Sequence, residues 1–241
     1  MEKNTQFIPR EFVQNHGIHF SLVLRKLALG REYTTDFFYL SKSSDSWNGV
    51  FIELEKPYSN FFKAGCNDFH PDFLQALQQI NKWRAWLSEN SNLEQFCKTT
   101  IGVIKNPLGQ NPLYPKFVLV FGRREEYATS SLRRGLIRGQ EREDFKIISY
   151  DSLLEDLENK NELYLGIRKN EHIEILSEKF IQDNIFRWTE AHQLKINRVL
   201  KEKIVSEFEE KKLEPGSLDE KLFIKYEKPY QDKVNKIETY N

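Results

Sequence analysis

The stretch VFIELEKPYSNFF, residues 50–62, carries the strongest fold signal in the chain. Its first half alternates aliphatic and acidic positions, and side chains two residues apart share one face of a strand. One face of the predicted strand is aliphatic: Val50, Ile52 and Leu54. Glu53 and Glu55 stand side by side on the other face, and Pro57 ends the strand because it donates no ladder hydrogen bond. The acidic pair is therefore either a solvated strand surface or a ligand-binding pair.

A second predicted strand precedes this one. The aromatic run DFFYL, from Asp36 to Leu40, is typical of a short strand, and the turn-rich segment 41–49 joins it to the next strand. A hairpin is the simplest pairing, and it places Asp36 opposite Glu53 and Glu55, because paired backbones lie about 4.8 Å apart. Three converging carboxylates form a hard oxygen site of the kind that Mg²⁺ or Mn²⁺ prefers.

A long amphipathic helix follows in HPDFLQALQQINKWRAWLSEN, residues 70–90. Pro71 suits the first turn, and Asp72 interacts favourably with the helix dipole there. The predicted buried stripe has helical spacing: Phe73, Leu77, Ile80, Arg84 and Leu87. Gln79 and Lys82 fall on a different face, where they are either surface groups or site residues.

The other elements are predicted from shorter patterns. Leucines between Phe20 and Leu29 indicate a helix that stops at Gly30. Further predicted elements follow in chain order: a helix near 93–101, a buried central strand at 117–122, a charged helix or lid at 123–144, a strand at 145–150, a helix at 152–159 capped by Asp151, and short strands or loops at 163–176.

The last quarter of the chain differs from the rest. From about residue 178 to 212 the pattern is mostly helical and heavily charged. We therefore predict two parts, an α/β domain over residues 1–176 and a helical C-terminal extension over residues 177–241. The extension is weakly suited to burying a core of its own, so we expect it to pack against the domain and contribute to a homo-oligomer.

Bulk composition excludes several classes of protein. The 36 Lys and Arg residues balance the 36 Asp and Glu residues, so no global basic field draws nucleic acid, although a local basic groove stays open. The two cysteines form no CxxC pair, which argues against a structural zinc site. The polar start is unlike a signal peptide, and no apolar run reaches the length of a membrane span. We expect a cytoplasmic protein without a membrane partner.

The order of these motifs resembles the PD-(D/E)XK nuclease superfamily and, more closely, the Shedu-type nuclease domain of bacterial anti-phage defence. The resemblance covers roughly residues 20–160 and rests on six segments: TDFFYL, VFIELEKP, FFKAG, ALQQINKWRAWLSEN, FVLVFGRR and ISYDSLLEDL. Each segment is weakly specific alone, but their shared order is fairly specific. It implies a PD-(D/E)XK nuclease-like mixed sheet flanked by helices.

The resemblance also implies an activity, which is metal-dependent endonucleolytic cleavage of DNA. Asp36, Glu53 and Glu55 would hold Mg²⁺ or Mn²⁺, and Gln79 would orient water or a ligand. One departure is that Glu55 occupies the position where the superfamily usually has lysine. Lys56 is adjacent but points to the opposite strand face, and Lys82 on the helix is a second candidate for the missing cation.

Arginines after the central strand leave two interpretations open. Arg123 either contacts a substrate phosphate or forms an ion pair with Glu125 or Glu126. The later arginines at 133, 134, 138 and 142 fit a solvated helix face. The missing lysine supports a rival to the nuclease hypothesis, namely a non-catalytic module of nuclease origin that binds nucleic acid or a protein partner.

Overall fold

The computed structural model describes residues 1–105, 108–155, 157–176, 185, 189, 191–197 and 199–200. The predicted C-terminal helices lie almost entirely outside these residues, and so does the predicted tail. Within the described part, no helix is both long enough and apolar enough to cross a membrane.

Ten strands are described, and eight of them form one mixed sheet. Their bounds are β1 Ile18–Arg25, β2 Ala28–Leu29, β3 Tyr33–Thr34, β4 Phe37–Lys42, β5 Trp47–Leu54, β6 Leu113–Val120, β7 Phe145–Ile148, β8 Tyr164–Lys169, β9 His172–Ile175 and β10 Leu194–Ile196. The sheet order is β10-β9-β8-β1-β4-β5-β6-β7, and β2 pairs separately with β3. β10 comes from beyond residue 176 and still joins this sheet, while the proposed division of the chain at that residue stays a prediction.

The predicted hairpin is present. β4 and β5 pair antiparallel with Phe37 opposite Ile52, and the Asp36 amide donates to the Ile52 carbonyl at 3.1 Å. β5, β6 and β7 then run parallel, with Glu53 opposite Leu119. The sheet is therefore mixed, as the α/β prediction requires.

In the part of the chain that the structure describes, the sheet is accompanied by the α-helices α1 Pro71–Ser88, α2 Asn90–Gln95 and α3 Ser131–Arg138. α1 confirms the predicted long helix, and the His70 side chain caps it by accepting from the Asp72 amide at 3.2 Å. The helix predicted near 93–101 begins earlier, at Asn90, and ends as a π-helical turn over Phe96–Thr100.

The helix predicted from Phe20 to Leu29 is wrong, because this segment forms β1 and β2. β1 lies inside the sheet between β4 and β8, so both of its faces are buried. A strand covered on both faces is a continuous apolar run, which periodicity does not separate from a buried helix. Gly30 is likewise no helix stop, since it follows β2 with a φ of +62° and packs against the Trp86 ring.

Both faces of the sheet are covered. The first is packed by α1, where Phe38 and Phe51 meet Ile80 and Trp83. The second, with Val50 and Ile52, packs against Ile8, which follows a 3₁₀ turn, and against Leu153, which lies within one. Glu53 follows Phe51 by two residues, so it points to the helix-covered face rather than to a solvated one.

Gly122 provides a test of this packing just after β6. Its φ is +52°, and a Cβ there would lie 2.8 Å from the Ser59 carbonyl oxygen and 2.9 Å from the Phe61 ring. We expect Gly122→Ala to lower the free energy of unfolding by at least about 2 kcal/mol, because backbone strain and overpacking add. Urea denaturation measures it.

Gly17→Ala is the matched control, since Gly17 has a φ of +72° and an added Cβ would meet no atom within 4 Å. It should lose only about 1 kcal/mol, the cost of the left-handed conformation. Equal losses in the two variants would show that the contact at Gly122 is not tight.

Candidate active site

The three predicted acids lie close together at one end of the central strands β4 and β5. Asp36 directly precedes β4, Glu53 lies near the carboxyl end of β5, and Glu55 follows that end. The hairpin brings them together, and burial, followed by the negative charges of Asp36 and Glu55, raises the pKa of Glu53. Ligand sites of α/β proteins lie outside the carboxyl ends of parallel strands, and β5 and β6 end here.

Asp36 is held from two sides. Its Oδ2 accepts from the Leu54 amide at 2.8 Å, and its Oδ1 accepts from the Lys26 amine. Its side chain is 19% exposed, which leaves a path to solvent. The carboxylate is therefore fixed in place and compensated by a single positive charge.

Glu53 is the unusual member of the group. Its Oε1 accepts from the Gln79 amide of α1 at 2.5 Å, whereas its Oε2 is buried and has no hydrogen-bond partner. Burial, followed by the charges of Asp36 and Glu55, raises the pKa of Glu53 to about 8. A buried carboxyl oxygen without a partner is costly unless a proton or a cation meets it.

Glu55 is half-buried, and its pKa is raised by burial and by the charges of Asp36 and Asp72. Its backbone carbonyl accepts a hydrogen bond from the Tyr150 hydroxyl. Burial, then the charges of Asp36 and Glu55, raises the pKa of Tyr150 to about 12. Tyr150 follows β7 in the segment ISYD, so its place after a parallel strand was a sequence signal for this edge.

Lys26 is the site residue that sequence reasoning missed. The hydrogen bond to Asp36 raises the pKa of the Lys26 amine, and the charges of Asp36, Glu53 and Glu2 add to the effect. Because the segment Phe20–Leu29 was predicted as a helix, Lys26 was not expected beside the end of a strand. No local motif marks it, because it is brought to Asp36 only by the pairing of β1 with β4.

The donor chemistry is of the kind that suits a hard divalent cation, because three carboxyl groups interact electrostatically here and the Glu53 Oε2 has no hydrogen-bond partner. Among the residues that the structure describes, however, no three His, Cys, Asp or Glu side chains are arranged so that they could hold an ion. Asp36 is engaged by Lys26 instead. The three-carboxylate ligand set stays a prediction.

A groove of about 840 Å³ lies beside Gln79. α1 lines it with Gln75, Gln78, Gln79 and Lys82. Lys63 and Tyr33 also line it. Because Gln79 also contacts Glu53, the groove and the carboxylate group share a wall. Trp83 also lines the groove, and it is a fully buried core residue.

Arg123 forms an ion pair, but with Asp151 rather than with Glu125 or Glu126. The pair is bidentate, at 2.7 and 3.1 Å, and it holds the pKa of Asp151 below its usual range. Asp151 is therefore not the predicted helix cap. Ser149 takes the cap position, and the residues after it form a 3₁₀ turn over Tyr150–Leu154.

The later arginines are not all solvated as predicted. Arg133 donates to the Cys66 carbonyl at 2.7 Å and to Asn67 at 3.0 Å, and its guanidinium lies 4.6 Å from the centre of the Phe62 ring. Glu126 complements it by accepting from the Phe61 and Phe62 amides. This corner holds the loop that leads into α1.

The pKa of Glu53 predicts a pH-dependent stability. A carboxyl with a folded-state pKa near 8 keeps a proton that the unfolded chain loses near 4.5, so the folded state loses stability as pH rises between these values. Glu53→Gln removes this loss. In EDTA, we expect the free energy of unfolding of the variant to rise relative to that of the wild type by on the order of a few kcal/mol between pH 5 and pH 8.

Thermal unfolding at several pH values measures this difference. Glu143→Gln, an exposed carboxylate, is the control and should track the wild type at every pH. A constant offset between Glu53→Gln and the wild type would mean that the Glu53 carboxyl is already ionised at pH 5.

The family comparison agrees with the motif order. A family model described as Shedu protein SduA, C-terminal, matches residues 2–154. This range contains every residue of the carboxylate group together with Lys26, Gln79 and Tyr150. No curated protein matches the chain. The match spans more than half of the sequence, and the chain belongs to the Shedu SduA C-terminal family.

Proposed function

We propose that this protein is a metal-dependent DNA endonuclease of PD-(D/E)XK type that acts in anti-phage defence. Membership of the Shedu family suggests the defence role. One observation supports the chemistry above all others: the partly buried Glu53 has one buried oxygen without a hydrogen-bond partner and lies within the field of Asp36 and Glu55. A carboxyl group whose pKa is raised by desolvation and by neighbouring charges is typical of functional sites.

The proposed roles follow from position. Asp36, Glu53 and Glu55 would hold Mg²⁺ or Mn²⁺, and the ion would supply Lewis-acid chemistry by activating water and stabilising a leaving oxygen. Gln79 fixes the orientation of Glu53 through its amide. Water adds to phosphorus, the bond to one sugar oxygen breaks, and that oxygen takes a proton while the water loses one.

The groove beside Gln79 gives the DNA strand a place to lie. Lys82 and Lys63 supply positive charge there, and the amides of Gln75 and Gln78 offer donors and acceptors to nucleotides. Arg123 is half-exposed, and its pairing with Asp151 leaves a phosphate contact as a weaker proposal.

A second function has its own observations in support. Glu55 replaces the usual lysine, and the described acids do not form a ready three-ligand set. Both features fit a module of nuclease origin that binds nucleic acid or a protein partner without cleaving it. The two functions differ in their response to metal. A homo-oligomer and a cytoplasmic location remain expectations for either.

The first test of the proposed function concerns the metal. Mg²⁺ or Mn²⁺ should raise the melting temperature, because a ligand that binds only the folded state stabilises it. Glu53→Ala should abolish that increment, whereas the exposed Glu143→Ala should keep it. Differential scanning calorimetry with and without metal makes the measurement. An undiminished increment in Glu53→Ala would place the ion elsewhere.

The second test of the proposed function concerns Glu55. As a ligand or as a base on the attacking water, it loses charge and basicity in Glu55→Gln, which should lower the cleavage rate by about two to four orders of magnitude. Glu55→Lys should also impair cleavage, since it replaces a negative group of the site. Cleavage of linear, nicked and supercoiled DNA measures both. Full activity in Glu55→Lys would refute the three-acid arrangement, and a wild type inactive with every metal would favour the binding module.

A further inference from the structure

Lys26 occupies a defined place in the row of strand ends. β1 ends at Arg25 beside Phe37 of β4, so the next residue on one side is Lys26 and the preceding residue on the other is Asp36. β5 follows on the far side of β4 and brings Glu53 and Glu55. Lys26 and the three acids therefore lie in a row across the neighbouring ends of β1, β4 and β5.

Two bonds tie Lys26 to Asp36. The Lys26 backbone amide donates to the Asp36 carbonyl at 2.9 Å, and the Lys26 amine donates to the Asp36 carboxylate. The next pairing continues the connection, since the Thr35 amide donates to the Leu27 carbonyl at 2.9 Å. Lys26 is thus held by main chain and side chain at once, unlike a lysine on a free surface.

The backbone of Lys26 is strained. Its φ is +49°, a left-handed conformation that favours glycine over a residue with a Cβ. Glycine would avoid this cost, so the lysine side chain is a candidate for a function at this position. Its side chain is nevertheless 60% exposed, so a phosphate that approaches the carboxylates can reach the amine.

The two lysines considered from sequence are placed less well. The Lys56 amine lies 5.9 Å from the centre of the Tyr58 ring, outside the end of β5. Lys82 lines the groove on α1. Neither forms an ion pair with an acid of the site in the described structure, whereas Lys26 does.

We propose that Lys26 supplies the cation missing from β5, by binding a non-bridging oxygen of the scissile phosphodiester. The inference rests on the proposed nuclease function and names the group that faces the phosphate. Lys26 leaves Asp36 for the phosphate oxygen and offsets the negative charge that grows as water adds to phosphorus. No proton is transferred by Lys26, so the balance of hydrolysis given above is unchanged.

The test compares lysine variants at four positions. Lys26→Met removes the charge and keeps most of the stem, and Lys26→Arg keeps the charge. Lys56→Met and Lys82→Met remove the two rival cations. Lys42→Met is the matched control, because Lys42 lies at the other end of β4, away from the acids, and its amine lies over the Trp47 ring.

Single-turnover cleavage of duplex DNA with Mg²⁺ or Mn²⁺ is the first readout. Lys26→Met should lower the rate constant by about 100-fold or more, the scale on which one charge-stabilising donor acts. Lys26→Arg should recover at least about tenfold of that loss, while Lys42→Met stays at the wild-type rate.

DNA binding without cleavage is the second readout, measured in a Glu55→Gln background. Adding Lys26→Met should weaken duplex binding and reduce the slope of log K against log salt by about 0.9, the value for one phosphate contact. Adding Lys42→Met should leave the slope as it is. A lysine that only neutralises Asp36 in the fold would change stability and not this slope.

The outcomes separate the inference from the function. If the wild type cleaves and the loss appears in Lys56→Met or Lys82→Met instead of Lys26→Met, the inference is wrong and the nuclease function stands. An unchanged salt slope in Lys26→Met overturns it as well. If the wild type cleaves no DNA with any metal, the proposed function fails and the inference fails with it.

Discussion

The structure depends on three carboxyl groups, those of Asp36, Glu53 and Glu55, that are held close together where the central strands of the sheet end. Asp36 and Glu55 disfavour the ionised form of Glu53, which is also desolvated, so ionising all three carboxyl groups costs free energy of folding. The fold compensates with the Leu54 amide, the Gln79 amide and the Lys26 amine. The repulsion is not relieved by movement, because β5 is paired on both sides, with β4 and with β6.

The amide of Gln79 reaches Glu53 only because α1 begins at the right place. The His70 amide donates to the Phe61 carbonyl at 2.8 Å, and Phe61 is itself held by Glu126. Arg133 of α3 fixes the loop between them through the Cys66 carbonyl. A chain of contacts therefore leads from α3 to the start of α1 and on to the carboxylate group, so charged residues far from the acids help to position them.

The sequence was most informative where a pattern was local. The β4–β5 hairpin, α1 and the buried strand β6 follow from alternation, helical spacing and an apolar run, and the three acids were found through that hairpin. β1 was predicted as a helix because a strand that is buried on both faces has no alternation that distinguishes it. Lys26 was lost with it, and Asp151 was misassigned because its partner Arg123 lies 28 residues away and is close only in the folded chain.

The topology explains why these residues meet although they are spread over more than a hundred positions. β5, β6 and β7 run parallel, so Glu53, Gly122 and Tyr150 follow or lie near strand ends at the same edge. β4 runs the other way between β5 and β1, so its first residues lie at this edge beside the last residues of β1. Asp36 therefore has acids on one side and Lys26 on the other. In such a row, a positive charge on either neighbouring strand can compensate Asp36. An acid at position 55 is then compatible with the proposed phosphate chemistry, because Lys26 brings a positive charge to Asp36 from the β1 side.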